Sequence, residues 1–310
     1  MIKKVPDGES LRRRIEESVK DRLYHFLLDY GSVRGALLHA GRLVSEMQAN
    51  HELGPLETLV LGHAYIAAAL LAANLKGGDR VKLQVQCSGP VRGLVAEANA
   101  FGEVRGYLAE VPIPGESPVD PADLSALYGE GVLTVTRTLR DAKQPFSGQV
   151  ALERPSLAEN LAHYFLVSEQ TASSFHLSVR FDALGQVTGA GGLFLQVMPG
   201  TEEPTLDRVE ALARGLPSIG GAFTAGRPAE ELVGEWFAPL HPLLLGSRRV
   251  AFMCHCSAQR FGRFLGALPR EELADMLDKG PFPVVTTCFN CNSRYSFSRP
   301  EIERLYQGSS

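Results

Sequence analysis

Apolar and polar positions along the first 200 residues follow two different periods, and the switches between them outline the elements. The short apolar runs Leu23 to Leu28 and Val33 to Leu38 predict strands, and residues 41–50 predict a short helix. Leu59 to Ala73 (LVLGHAYIAAALLAA) is apolar on every side and Ala-rich, which predicts a buried helix within Leu56 to Leu75, ended by Gly77-Gly78-Asp79. From Arg80 to Val150 the period becomes two. Val81, Leu83 and Val85 alternate with Lys82, Gln84 and Gln86, and Leu133, Val135 and Arg137 alternate with Thr134, Thr136 and Thr138. That is the pattern of half-buried antiparallel strands. A helix is predicted over Ser156 to Gln170, capped by Pro155-Ser156 and carrying Leu157, Leu161 and Phe165 on one stripe. Strands return at Ser174 to Phe181 and Gly192 to Met198, with Gly189-Ala190-Gly191-Gly192 read as the turn before the last. Strands and helices alternate without βαβ spacing. The predicted class is therefore α+β: an N-terminal antiparallel sheet with packed helices.

Residues 201–250 have another texture. Leu206, Val209, Leu212 and Leu216 recur at helical spacing, as do Leu232, Val233, Trp236, Phe237 and Leu240. Gly215, Pro217, Gly220, Gly221, Gly226, Pro228, Gly234 and Pro239 interrupt them, and an interior glycine costs a helix roughly 1 kcal/mol relative to alanine. Short amphipathic helices of this kind depend on docking to a neighbour. The expected organisation is a core over 1–200, a metastable helical linker over 201–250 and a small C-terminal module over 251–310.

Composition narrows the function. A net charge of −4 and a pI near 6.1 argue against a nucleic-acid partner, which requires a clustered cationic surface. The N-terminal residues Met1 to Glu9 show no apolar stretch of a secretory signal. The most apolar run is 15 residues long, against roughly 20 for a membrane span. The expectation is a soluble, cytoplasmic protein with no membrane partner. There is no Walker loop, dinucleotide-binding glycine motif, His-Glu-x-x-His or nucleophile elbow, so no catalytic residues and no organic cofactor are assigned.

The cysteines carry the chemistry. Of five, Cys87 stands alone in a predicted strand and reads as a small hydrophobe, whereas Cys254, Cys256, Cys288 and Cys291 crowd together. They form a C-x-C and a C-x-x-C pair with 31 residues between them. Two such pairs on separate turns supply the four soft donors of a tetrahedral zinc site, and one zinc ion per chain is expected. His255 is a competing donor, but four thiolates already complete the shell, so it is expected outside it or facing solvent. Binding of structural zinc is worth about 10–16 kcal/mol, most of it folding free energy. Oxidising one thiolate, which then captures its neighbour, removes two ligands together. The same residues are thus suited to be a clamp when reduced and a trigger when oxidised.

These motifs extend to a recognisable set. Cys254-His255-Cys256-Ser257, Cys288-Phe289-Asn290-Cys291-Asn292-Ser293-Arg294-Tyr295-Ser296-Phe297, Ser147-Gly148-Gln149-Val150, Tyr164-Phe165-Leu166-Val167-Ser168-Glu169-Gln170 and Gly191-Gly192-Leu193-Phe194-Leu195-Gln196-Val197-Met198-Pro199-Gly200 are similar to those of the heat shock protein 33 family over nearly the whole length. The resemblance implies a redox-regulated, ATP-independent holdase chaperone rather than an enzyme. It implies zinc on four cysteines in an inactive reduced state, and oxidative zinc release with disulfides Cys254–Cys256 and Cys288–Cys291, the C-x-x-C pair sensing first. It further implies unfolding of module and linker, capture of unfolded clients, and homodimers of the activated form. Two other readings stand beside it. One is a structural-zinc module binding RNA or the ribosome, which the mild acidity disfavours. The other is a thiol oxidoreductase using Cys288 and Cys291, which requires the pair at a helix N-terminus; here it follows the strand-like run Phe282 to Thr287.

Overall fold

The computed structural model describes residues 1–4, 21–115, 120 and 123–308. The reading of Met1 to Glu9 as lacking a signal falls mostly outside them. In chain order, β1 (Arg22–Leu28) and β2 (Val33–His39) lead into helices α1 (Gly41–His51) and α2 (Pro55–Leu71). Next come β3 (Arg80–Cys87), β4 (Gly93–Asn99), β5 (Glu103–Leu108), the short α3 (Ser125–Tyr128), β6 (Gly131–Thr138), β7 (Phe146–Ala151), α4 (Leu157–Ser168), β8 (Ser173–Phe181) and β9 (Val187–Val197). Helices α5 (Glu203–Arg214), α6 (Ile219–Thr224) and α7 (Ala229–Trp236) precede β10 (Leu243–Arg249) and β11 (Ala251–Phe252). The chain closes with α8 (Ala258–Gly266), α9 (Arg270–Lys279), the hairpin β12 (Val284–Thr287) and β13 (Arg294–Phe297), and α10 (Arg299–Gly308). The class is α+β, as the periodicity predicts.

Two sheets sandwich α2. One has the order β10-β1-β2-β9-β8 and the other β11-β5-β4-β3-β6-β7, antiparallel throughout except for the parallel pair β11 and β5. A helix apolar on every side belongs in the middle of a core, and α2 is buried from Glu57 to Leu71. Burial pushes the imidazole of His63, within it, down to about 4. The cap of α4 forms as predicted: Ser156 Oγ accepts from Glu159 N at 3.2 Å. No helix among the described residues is long and apolar enough to cross a membrane.

Three expectations are corrected. The long helix stops at Leu71 rather than Leu75, and Gly77 forms a separate turn at φ 56°. Gly189 to Gly192 is not a turn but the middle of β9. Its glycines are there for close approach: a Cβ at Gly189 would stand 2.3 Å from the Gly220 carbonyl, and one at Gly192 2.5 Å from the Ile66 side chain. Finally, residues 201–250 are helical only as far as Leu240, after which β10 pairs with β1 at the edge of the first sheet. Its Leu243-Leu244-Leu245 run lacks helical periodicity, and the open edge of β1 takes it up as strand.

The helices of this stretch cover the outer face of the first sheet. Tyr24, Phe26, Leu28, Val33, Leu37, Leu193 and Leu195 from the strands meet Val209, Ile219, Phe223, Leu232, Trp236 and Phe237 in a second hydrophobic layer, separate from the core around α2. Strands covered on both faces read as continuous apolar runs, which accounts for Ala36-Leu37-Leu38 and Leu193-Phe194-Leu195.

Candidate metal centre

The two cysteine pairs reach one place by different routes. β11 lies parallel to β5, Phe252 is fully buried against Tyr65, and Met253 N donates to Val104 O at 2.9 Å. The C-x-C turn therefore leaves the core sheet at a fixed point. Ser257 then caps α8, its Oγ accepting from Arg260 N at 3.2 Å. The C-x-x-C turn joins β12 to β13: Cys291 N and Asn292 N both donate to Cys288 O at 3.2 and 2.7 Å, and Cys288 N donates to Ser293 O at 2.9 Å. Asn292 closes the turn at φ 52°, a left-handed conformation that asparagine tolerates better than most residues.

The four Sγ atoms lie within 4.8 Å of one another, and all four cysteines are buried. Cys254 Sγ is 3.8 Å from Cys288 Sγ, and Cys256 Sγ is 3.3 Å from Cys291 Sγ; none is in a disulfide. A tetrahedral site with Zn–S near 2.3 Å has sulfur–sulfur edges of about 3.8 Å. The donor set fits the ion electrostatically as well. Hydrogen bonds from Cys288 and Cys291 hold the Cys254 thiol far below its ordinary range. The hydrogen bond to Cys254 pushes Cys288 far up and is the largest cause raising Cys291 to about 11. A divalent cation relieves the mutual repulsion that opposes ionising neighbouring thiols together.

The surroundings of the sulfurs are polar and specific. Tyr295 OH lies 3.1 Å from Cys256 Sγ, and Ser293 Oγ lies 3.2 Å from Cys291 Sγ. Burial, then the Cys256 contact, pushes the Tyr295 phenol up. Arg105 Nη1 is 3.9 Å from Cys254 Sγ. The Met1 amino group donates to Cys256 O at 2.7 Å, Ile2 N to Ser293 Oγ at 2.8 Å, and Asn50 Nδ2 to Cys291 O at 3.0 Å. The chain start and the end of α1 thus lace both turns together.

His255 stands outside the cluster: it is exposed, and its Nε2 lies 2.8 Å from Glu103 Oε2. Cys87 lies at the end of β3, partly buried, its thiol pushed up by burial. Sequence reasoning missed Arg105, Glu103 and Asn50, because nothing in a period-two strand or a helix end marks a residue as facing a metal site. Ser293 and Tyr295 belong to the C-terminal motif, which by itself gives them no role.

Comparison with known proteins agrees with this geometry. The family model described as Hsp33 protein matches residues 21–298. The 33 kDa chaperonin of Desulforamulus reducens is 33% identical over 288 residues, covering 93% of this chain and 97% of its own. That of Geobacillus kaustophilus is 32% identical over 289 residues, with 93% and 98% covered. The crystal structure of the 33 kDa chaperonin (heat shock protein 33 homolog) from Thermotoga maritima superposes with a TM-score of 0.84 at 32% identity, covering 94% of this chain and 99% of that one. With a family match across most of its length, relatives above 30% identity and four cysteines converging in space, the chain belongs to the Hsp33 family of chaperones, not to a class of enzymes.

Proposed function

We propose that this protein is a redox-regulated, ATP-independent holdase, held inactive by zinc on the reduced thiolates of Cys254, Cys256, Cys288 and Cys291 and activated by their oxidation. The observation that carries this reading is the pairing of a four-thiol cluster at one end of the chain's last segment with an apolar sheet face covered, among the described residues, by the helices preceding it. Bound zinc supplies a cation that holds four thiolates together and so ties two otherwise separate turns into one module.

Oxidation acts through the chain's own sulfurs. A thiolate attacks a peroxide oxygen, the O–O bond breaks, and hydroxide leaves behind a sulfenic acid; the neighbouring thiolate displaces hydroxide from that sulfur and closes the disulfide. Two sulfurs give up two electrons, and the peroxide ends as two hydroxides, which take two protons from solvent to become water. Sulfur contacts in the cluster run between the turns, 3.8 Å from Cys254 to Cys288 and 3.3 Å from Cys256 to Cys291. Disulfides between near neighbours, Cys254–Cys256 and Cys288–Cys291, leave the two turns with no bond between them. That pairing therefore suits a module that opens, whereas cross-turn disulfides lock it shut.

The module 251–310 and the linker 201–250 then loosen from the core 1–200. Tyr24, Phe26, Leu37, Leu193 and Leu195 become available to unfolding clients, and exposed apolar faces of two copies favour a homodimer of the active form. The reducing chemistry that keeps four thiols free suits a cytoplasmic location.

The test is zinc release and light scattering followed in parallel with a thermally unfolding client, before and after peroxide. Zinc loss together with new suppression of aggregation is the expected result. Zinc retained, or lost without chaperone gain, refutes the switch, and peptide mapping that finds Cys254 joined to Cys288 refutes the pairing.

A further inference from the structure

The core sheet presents a row of three side chains to the cysteine turns. Glu103, Arg105 and Tyr107 alternate along β5, and each meets a different part of the centre: Glu103 the His255 imidazole at 2.8 Å, Arg105 the Cys254 sulfur at 3.9 Å, Tyr107 the Phe289 ring at 5.7 Å between centroids. Arg105 is held more firmly than a surface arginine. Glu97, directly across on β4, accepts from its Nε and Nη2 at 3.0 and 2.7 Å, which leaves Nη1 turned to the sulfur. Among the described residues no other cationic side chain hydrogen-bonds to a cluster sulfur, so the guanidinium singles out Cys254 among the four donors.

We propose that Arg105 is a positioning residue of the metal centre: its guanidinium, clamped by Glu97, hydrogen-bonds to the Cys254 thiolate, ties the centre to the core sheet and makes that sulfur the least nucleophilic of the four. The inference rests on the four-thiolate zinc reading above. A hydrogen bond to an ionised acceptor stabilises the anion and withdraws electron density from it, and partners that orient metal ligands contribute to affinity. Peroxide and alkylating agents, which take electrons from sulfur, are thereby directed to the other three. The same contact couples the halves of the molecule, because loss of the Cys254 anion removes the acceptor that holds β5 to the C-x-C turn.

The experiment uses the full zinc-loaded chain with Arg105→Met, Arg105→Lys and Glu103→Gln. Zinc affinity is read by chelator competition, and each cysteine's alkylation rate by a pulse of iodoacetamide and peptide mass spectrometry, neither of which requires chaperone activity. Arg105→Met is expected to weaken zinc binding about tenfold and to raise alkylation of Cys254 relative to Cys256, Cys288 and Cys291. Arg105→Lys, which keeps the cation, restores part of both. Glu103→Gln loosens the turn from β5 without touching sulfur and leaves the order among the four unchanged. If Arg105→Met accelerates all four cysteines together, or none, Arg105 only docks the module and the proposal is overturned. If the single variant does not fold, Glu97→Gln/Arg105→Met, which leaves no unpaired carboxylate, carries the same comparison. A wild-type chain that binds no zinc overturns the zinc reading and this inference together; a zinc-loaded wild type with an unaltered order in Arg105→Met overturns this inference alone.

Discussion

The two faces of the β10-β1-β2-β9-β8 sheet are both apolar but are covered by very different partners. On the inner face, Leu23, Ala36, Leu38 and Phe194 join the core that contains α2, a helix of 17 residues buried through almost its whole length. On the outer face, Tyr24, Phe26, Leu37, Leu193 and Leu195 meet α5, α6 and α7, of which α5 buries only Thr205, Val209 and Ala213. The first cover is locked between two sheets. The second is a set of short helices broken by glycine and proline, open to water on one side, and it is followed in the chain by the cysteine module. Equal hydrophobicity does not give equal stability: local stability follows how many sides of an element are packed. Trp236, the sole tryptophan, lies in α7 against this outer layer and reports on it directly.

The largest effect expected is from breaking the clamp that follows the weaker cover. Cys288→Ser removes one of four donors, and with zinc worth about 10–16 kcal/mol against a typical net domain stability of ~5–15, the module should unfold. Limited proteolysis beginning within residues 251–310, with the core 1–200 resistant, is the expected pattern; a zinc-loaded, protease-resistant Cys288→Ser protein contradicts the clamp. Next in size, Leu61→Ala in α2 should cost about 2–5 kcal/mol of global stability, because the inner core cannot collapse around the cavity. Leu232→Ala on the outer layer should instead shift Trp236 fluorescence at denaturant concentrations where the far-ultraviolet dichroism of the core is unchanged. Coincident transitions in both variants would erase the distinction between the two covers.

Acid sharpens the comparison from the inner side. The folded value of His63 is depressed to about 4 by burial, from 6.5, so the unfolded chain alone binds the proton between those values. The stability contributed by the neutral ring is intact above pH 6.5 and is lost as pH falls through the window toward 4, up to about 3 kcal/mol. His63→Gln should flatten that slope in urea titrations of the core signal; an unchanged slope assigns the acid sensitivity elsewhere. The smallest effect is aimed at the outer cover. In Gly189→Val the new Cβ stands 2.3 Å from Gly220 O and 2.4 Å from Thr224 Oγ1, both on α6. Overpacking of this kind costs about 1–3 kcal/mol, here at the α6–β9 contact. Partial suppression of client aggregation without peroxide is expected, and full dependence on peroxide shows that α6 is not needed to keep the face covered.

The sequence determined much of this by itself. Period-two alternation at Val81 to Val85 and Leu133 to Arg137 placed strands, the all-apolar run around Ile66 placed the central helix, and the spacing of Cys254, Cys256, Cys288 and Cys291 placed a four-donor site. These are local signals, written in the order of neighbouring residues. Tertiary structure alone decided the rest. Gly189 to Gly192 reads locally as a turn and becomes strand because helices from both sides need the space of the missing side chains. Leu243 to Arg249 is strand because β1 offers it an edge. Arg105 faces a cysteine sulfur only because β11 runs beside β5, although 149 positions of chain separate Arg105 from Cys254. No pattern within one element carries such a contact, since its energy arises from groups that only the folded chain brings together.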